Sequence, residues 1–180
     1  MKTPKILLLL FIFALNSCSS DSETPEDPTL PTSKFAMTAK VDGTLWEMNN
    51  PFNTNYATKP LFDYYPTALY IQLAGRKNVV DEIRLYIKRS DLKVGTYSIT
   101  PTTFDATKTQ IEVSLNSKAK LQYVAEGTLS ITSVDLTAKT VAGTFSFNCV
   151  EDYSKTISTS NPVTTKVTEG TFNYKYDVAN

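Results

Sequence analysis

Residues 111–115 read Ile-Glu-Val-Ser-Leu, and their reading decides the fold. Ile111, Val113 and Leu115 are apolar, while Glu112 and Ser114 between them are polar. An extended chain sends successive side chains to opposite faces, so this period of two predicts a strand with one buried face. Working outward, the same period recurs. Upstream, Ile83, Leu85 and Ile87 oppose Arg84, Tyr86 and Lys88; Tyr97 and Ile99 follow Gly95; Leu69, Ile71 and Leu73 form a stripe that Gly75 ends. Further back, Phe35, Met37, Ala39 and Val41 share a face against Thr38 and Lys40. Asp42-Gly43 then predicts a type I′ hairpin, which needs positive φ at both central residues, and Leu45-Trp46 begins the return strand.

Downstream, Leu121, Tyr123 and Ala125 continue the alternation, and Leu129 and Ile131 pair across a turn at 136–139 with Val141, Phe145 and Phe147. Phe172, Tyr174 and Tyr176 close the chain. No stretch carries an i, i+3, i+4, i+7 stripe long enough for a helix, and the runs are rich in Val, Ile, Thr, Tyr and Phe. The expectation is an all-β domain over residues 34–180, an antiparallel β-sandwich of about eight to ten strands, with a small β-barrel as the alternative. Uneven connections favour the sandwich over a regular meander.

The first 33 residues read differently. Lys2 and Lys5 precede an unbroken apolar run, 6–15, of the length of a signal-peptide h-region. A spanning helix needs about twenty apolar residues, twice what this run supplies. Leu15-Asn16-Ser17-Cys18 then resembles the bacterial lipobox, with Asn16 where a small or apolar residue is commoner. The cysteine thiol takes diacylglycerol as a thioether, and two or more acyl chains anchor stably at about 0.8 kcal/mol per buried CH₂. The organisation expected is a lipoprotein signal peptide over 1–17, a lipidated Cys18 opening an acidic, proline-rich tether over 18–33, and the domain. The tether (Ser-Ser-Asp-Ser-Glu-Thr-Pro-Glu-Asp-Pro from Ser19) is too polar to bury a core. Its acidic, Ser-rich start resembles the export signal of surface-exposed Bacteroidota-type lipoproteins. The partner implied is a membrane reached through N-terminal lipid, with the chain on the surface or the periplasmic face of the outer membrane.

Composition narrows the chemistry. Eighteen basic residues balance eighteen acidic ones, without the basic stripe that nucleic-acid binding requires. Histidine is absent, which removes Ser-His-Asp and Cys-His nucleophiles and His-containing zinc sites. With Cys18 acylated, Cys149 is the one thiol left, and its phase with Phe145 and Phe147 places it in the core. No cofactor or calcium-loop motif occurs, and the adjacent acids Asp81-Glu82 and Glu151-Asp152 stand at strand ends, where carboxylates face water.

The irregular stretch 48–66 is the candidate site. It holds Asn49, Asn50, Asn53 and Asn55 among Phe52, Tyr56, Phe62, Tyr64 and Tyr65. Loops this long inside a domain are often functional. Trp46, Tyr56, Tyr64 and Tyr65 are the expected ligand contacts: aromatic rings stack on sugar faces and amides bond hydroxyls. The competing expectation is that Trp46, Phe52 and Phe62 plug the end of the sandwich. Three functions follow. The first is a non-catalytic module binding a ligand such as a glycan. The second is an accessory lipoprotein docking on an envelope protein complex. The third is a hydrolase, which would need two convergent carboxylates.

Two further stretches carry a likeness. Val41-Asp42-Gly43-Thr44-Leu45-Trp46 resembles the Asp-Gly-x-x-Trp start of small Bacteroidota lipoproteins of unknown function. The segments starting at Gly127 (Gly-Thr-Leu-Ser-Ile-Thr), Val141 (Val-Ala-Gly-Thr-Phe-Ser-Phe) and Val167 (Val-Thr-Glu-Gly-Thr-Phe) are similar to the same group. The resemblance implies an all-β envelope lipoprotein and no catalytic residues.

Overall fold

The computed structural model describes residues 35–48, 68–78, 80–101 and 103–177. Among them are nine strands: β1 (Met37–Val41), β2 (Thr44–Glu47), β3 (Tyr70–Lys77), β4 (Asp81–Lys88), β5 (Gly95–Ile99), β6 (Gln110–Leu115), β7 (Tyr123–Asp135), β8 (Thr140–Val150) and β9 (Thr165–Lys175). They form a six-stranded sheet, ordered β2-β1-β9-β8-β7-β5, and a three-stranded sheet, ordered β3-β4-β6. Every pairing is antiparallel. The two sheets pack face to face as a β-sandwich and do not close into the alternative barrel.

Alternation builds the core as expected. Ile71, Leu73, Ile83, Leu85 and Ile87 of the small sheet meet Met37, Leu129, Phe145, Phe147 and Phe172 of the large one. Tyr174, fully buried, ties the layers: its hydroxyl donates to the carbonyl oxygen of Ala74 on β3 at 3.2 Å, with the Met48 sulfur at the same distance. The outward face of the large sheet is polar, and its hydroxyls pair across strands, as in Thr96–Ser130 and Thr38–Thr171 (both 2.8 Å). Asp42 (φ 49°) and Gly43 (φ 78°) both adopt the positive φ that a type I′ turn demands.

Glycines and phenylalanines face each other across this sheet. Gly127 is paired with Phe147, Gly143 with Phe172, and Gly170 with Phe145. At Gly143 and Gly170 the ring lies where a glycine Cβ would be, 2.5 Å from the Phe145 ring in the case of Gly170, while at Gly127 an added Cβ would meet the Ser146 carbonyl oxygen and the Phe147 Cβ. The Phe145 and Phe147 rings stack at 6.1 Å. β9 also changes phase. Thr165 and Val167 point inward, then Gly170, Phe172 and Tyr174 do, because an extra residue enters the register opposite β8. Glu169 sits at this bulge with φ 51°, its carboxylate paired to Lys40 at 2.8 Å.

Some positions depart from expectation. Leu69 and Leu121 are exposed rather than inward: Leu69 lies one residue before β3, and Leu121, 71% exposed, lies two before β7. Each lies outside the strand that follows it, where no pleat presses it against the opposite sheet. Glu82, expected in water, is buried because Arg76 and Arg84 both bond it.

Candidate functional site

β6 is one edge of the small sheet, and β5 joins β7 only from Gly127 onward, where it pairs with Ile99. The start of β7 is therefore open on the side that faces β6. Between them lies a cleft of about 480 Å³, walled by Ile111–Leu115 on one side and Leu121–Val124 on the other.

Two aromatic groups rim it. Phe104, 46% exposed, meets Tyr86 edge-on at 4.9 Å and Tyr70 at 5.7 Å, and those two tyrosines meet at 5.6 Å. Tyr153, 47% exposed, lies 5.1 Å from Tyr123. Local turns hold both rims. Asp105 beside Phe104 receives the Thr107 amide (2.9 Å) and hydroxyl (2.7 Å), and those bonds hold its carboxyl below the usual range. Its backbone is clasped by the Gln110 side chain, which accepts from the Asp105 amide (3.2 Å) and donates to its carbonyl (2.8 Å). Asp152 beside Tyr153 is bonded by Lys155 and by the Ser154 side chain and amide, which lower it to about 2. Buried Asn161 donates to the backbone carbonyls of Asp152 and Lys155 at 2.9 and 3.0 Å.

The polar wall is a relay of charges on the outer face of the small sheet. Arg84 grips Glu82 through two bonds of 2.8 Å, and Arg76 adds a third at 2.9 Å. Burial pushes the Glu82 carboxyl up, but the bonds from Arg84 and Arg76 outweigh it and hold the group below its ordinary value. Glu112, opposite Arg84 in register, accepts a hydrogen bond from the Tyr86 phenol. Burial, then the Glu112 charge, raises that phenol well above its usual range, so it stays a neutral donor. Glu112 is the one carboxylate among the described lining residues. Gln122 completes the far wall, fixed by the Lys120 carbonyl (3.1 Å) and the Thr164 hydroxyl (2.7 Å).

The residues expected from sequence fall elsewhere. Trp46 is 3% exposed in the core, its ring over Gly75, so it cannot belong to an exposed cluster. The Trp46 position is the third of a strand whose alternate face is inward, and its Nε1 has no partner among the described residues. Tyr56, Tyr64 and Tyr65 lie outside the described residues, as do Cys18, the signal and the tether. Phe104 and Tyr153, which rim the cleft, lie outside the stretch expected to bind. Each is a lone ring in an otherwise polar turn (Thr-Phe-Asp, Asp-Tyr-Ser), a signal too small to read without the cleft between them.

Cys149 is fully buried, and burial raises its thiol to about 12. Among the described residues no helix is long and apolar enough to cross a membrane, and no group of three or more potential ligands gathers as a metal site. Comparison with family models, with curated proteins and with solved structures finds no match for this chain.

Proposed function

We propose that this chain is a lipid-anchored protein of the bacterial envelope that acts as a non-catalytic binding module, with its ligand seated in the cleft between β6 and β7. The observation that carries the reading is the cleft itself: a preformed groove, rimmed by exposed Phe104 and Tyr153 and floored by apolar Val113 and Val124. Binding sites combine such apolar walls with a few placed polar groups, here Glu112, Arg84 and Gln122. The single carboxylate among the described lining residues supports binding over glycoside hydrolysis, which takes two. The anchor rests on Leu15-Asn16-Ser17-Cys18 and the resemblance to small Bacteroidota lipoproteins, and outer-membrane placement follows from it.

The test is a glycan array and a peptide array, each probed with the detergent-solubilised full-length chain and with a Phe104→Ala/Tyr153→Ala variant of equal thermal stability. Saturable binding on either array that the variant loses is expected. Two blank arrays, or binding unaffected by the substitutions, would refute the cleft as the site. For the anchor, Cys18→Ala should abolish incorporation of labelled palmitate; undiminished labelling would refute lipidation.

A further inference from the structure

We infer that the cleft takes an extended polypeptide segment, which pairs with β6 as an added strand; this rests on the reading of the cleft as a binding site. The direction of the β6 backbone groups carries it. In an antiparallel ladder, hydrogen-bonded and non-bonded pairs alternate. Val80 and Asn116 extend the β4–β6 register by one pair, and the Asn116 amide donates to the Val80 carbonyl at 3.2 Å. Counting back, Ser114, Glu112 and Gln110 bond to β4. The other side of β4 agrees: the Arg89 amide donates to the Leu69 carbonyl at 2.9 Å, so Ile83, Leu85 and Ile87 bond to β3 and their neighbours to β6. The amides and carbonyls of Ile111 and Val113, and the Leu115 amide, therefore point into the cleft. The Leu115 carbonyl points the same way and is taken by the Lys118 amide at 2.9 Å.

Among the described residues nothing guards this edge. Sheet edges are protected by lysine, proline, bulges or a covering element, and β6 has no lysine or proline and pairs with β4 without a register shift. The edges at β3 and β2 differ. On β3 the Ala74 carbonyl is satisfied by Tyr174, and on β2 the Leu45 carbonyl receives Lys77 Nζ at 3.1 Å. Only a peptide offers amides and carbonyls at the two-residue repeat of about 6.8 Å that these groups require.

The cleft also states the chemistry of its occupant. Side chains directed between the sheets would meet Val113 and Val124, so every second residue is small and apolar. The side chain beside Glu112 points to the outer face. Arg84 is committed to Glu82 by two bonds, so the complementary group at Glu112 is a lysine or arginine on the incoming strand.

The test uses labelled peptides of about seven residues, valine alternating with lysine and threonine, long enough to span β6. Scrambled sequences serve as controls, and all are titrated against the full-length chain in detergent. Binding by the alternating peptides should slow amide exchange at Ile111 and Val113, with little change at Glu112, which is already bonded. Val113→Pro removes one outward donor while leaving the β4 ladder intact, and edge strands accept proline there. It should weaken binding about tenfold. N-methylation of alternate peptide amides should do the same in one phase and not the other, on the unaltered protein. The inference is overturned if these peptides fail to bind, if bound peptide leaves Ile111 and Val113 exchange unchanged, or if neither Val113→Pro nor methylation matters. Cleft-dependent glycan binding with no peptide binding would overturn the added strand yet leave the binding module standing; no ligand of either kind removes both.

Discussion

Replacing Gly143 with alanine probes how tightly the large sheet is built. The added Cβ would collide with the carbonyl oxygen of Ser130 on β7 and stand 2.7 Å from the Phe172 ring on β9. The ring can tilt, but the carbonyl belongs to the backbone of a neighbouring strand, so β7 and β8 must separate locally. Overpacking a tight interior costs about 1–3 kcal/mol, and a ladder hydrogen bond lost at the separation adds about 1. The expected loss is about 3 kcal/mol, or a fall in Tm of roughly 10 °C for a domain of this size. Urea and thermal melts followed by far-UV circular dichroism measure it. Two companions make the result diagnostic. Gly43→Ala meets nothing within 4 Å and pays only for a positive φ of 78°, about 1 kcal/mol. Gly143→Ala/Phe172→Leu should not recover stability, because the carbonyl contact remains. A change below about 0.5 kcal/mol in Gly143→Ala, inside the range of an ordinary surface substitution, would refute the argument. Rescue by Phe172→Leu would show that the ring, and not the backbone, sets the limit.

Three other outcomes are expected. Glu82→Gln should flatten the acid limb of unfolding: the folded carboxyl titrates below 4.5, so its contribution is present above that pH and is lost as pH falls through the lowered value. An unchanged acid limb in stability-versus-pH measurements would contradict this. Cys149, its thiol raised to about 12, should resist Ellman's reagent at pH near 8 in a Cys18→Ser background and react fully once urea unfolds the chain; rapid labelling of folded protein would contradict its burial. Tyr174→Phe should cost about 1 kcal/mol by leaving the Ala74 carbonyl unpaired in the core, as read by urea denaturation.

What could be read in advance depended on whether a residue's role was local. Ile111, Val113 and Leu115 announce a strand because alternation is a property of neighbouring residues, and Asp42-Gly43 announces its turn for the same reason. The bulge at Glu169 is harder: it shifts the inward set from Val167 to Gly170 and Phe172 within one strand, and alternation alone treats such a shift as noise. The cleft was not legible, since Phe104, Glu112 and Tyr153 converge only after two sheets stack. Trp46 carried two expectations, ligand contact and core plug, because large rings near long loops suit both; its burial favours the core, and the strand phase that decides between them is only four residues long. Glu82 misled because its two arginine partners come from β3 and from its own strand, and the strand pairing that gathers them is invisible to composition.

The glycine–phenylalanine pairs have an evolutionary consequence. Each couples two sites, and all three couplings converge on β8, so these six positions cannot drift independently. A relative that enlarges Gly143 must shrink or redirect Phe172 and shift the strand beside it; one that loses the Phe145 ring opens a hole over Gly170. Descendants of a common ancestor should therefore show these positions changing in concert, even where the rest of the chain has diverged. The spacing of Gly127, Gly143 and Gly170 against Phe145, Phe147 and Phe172 is then a covariance fingerprint of the lineage, one that tracks kinship through the geometry of packing.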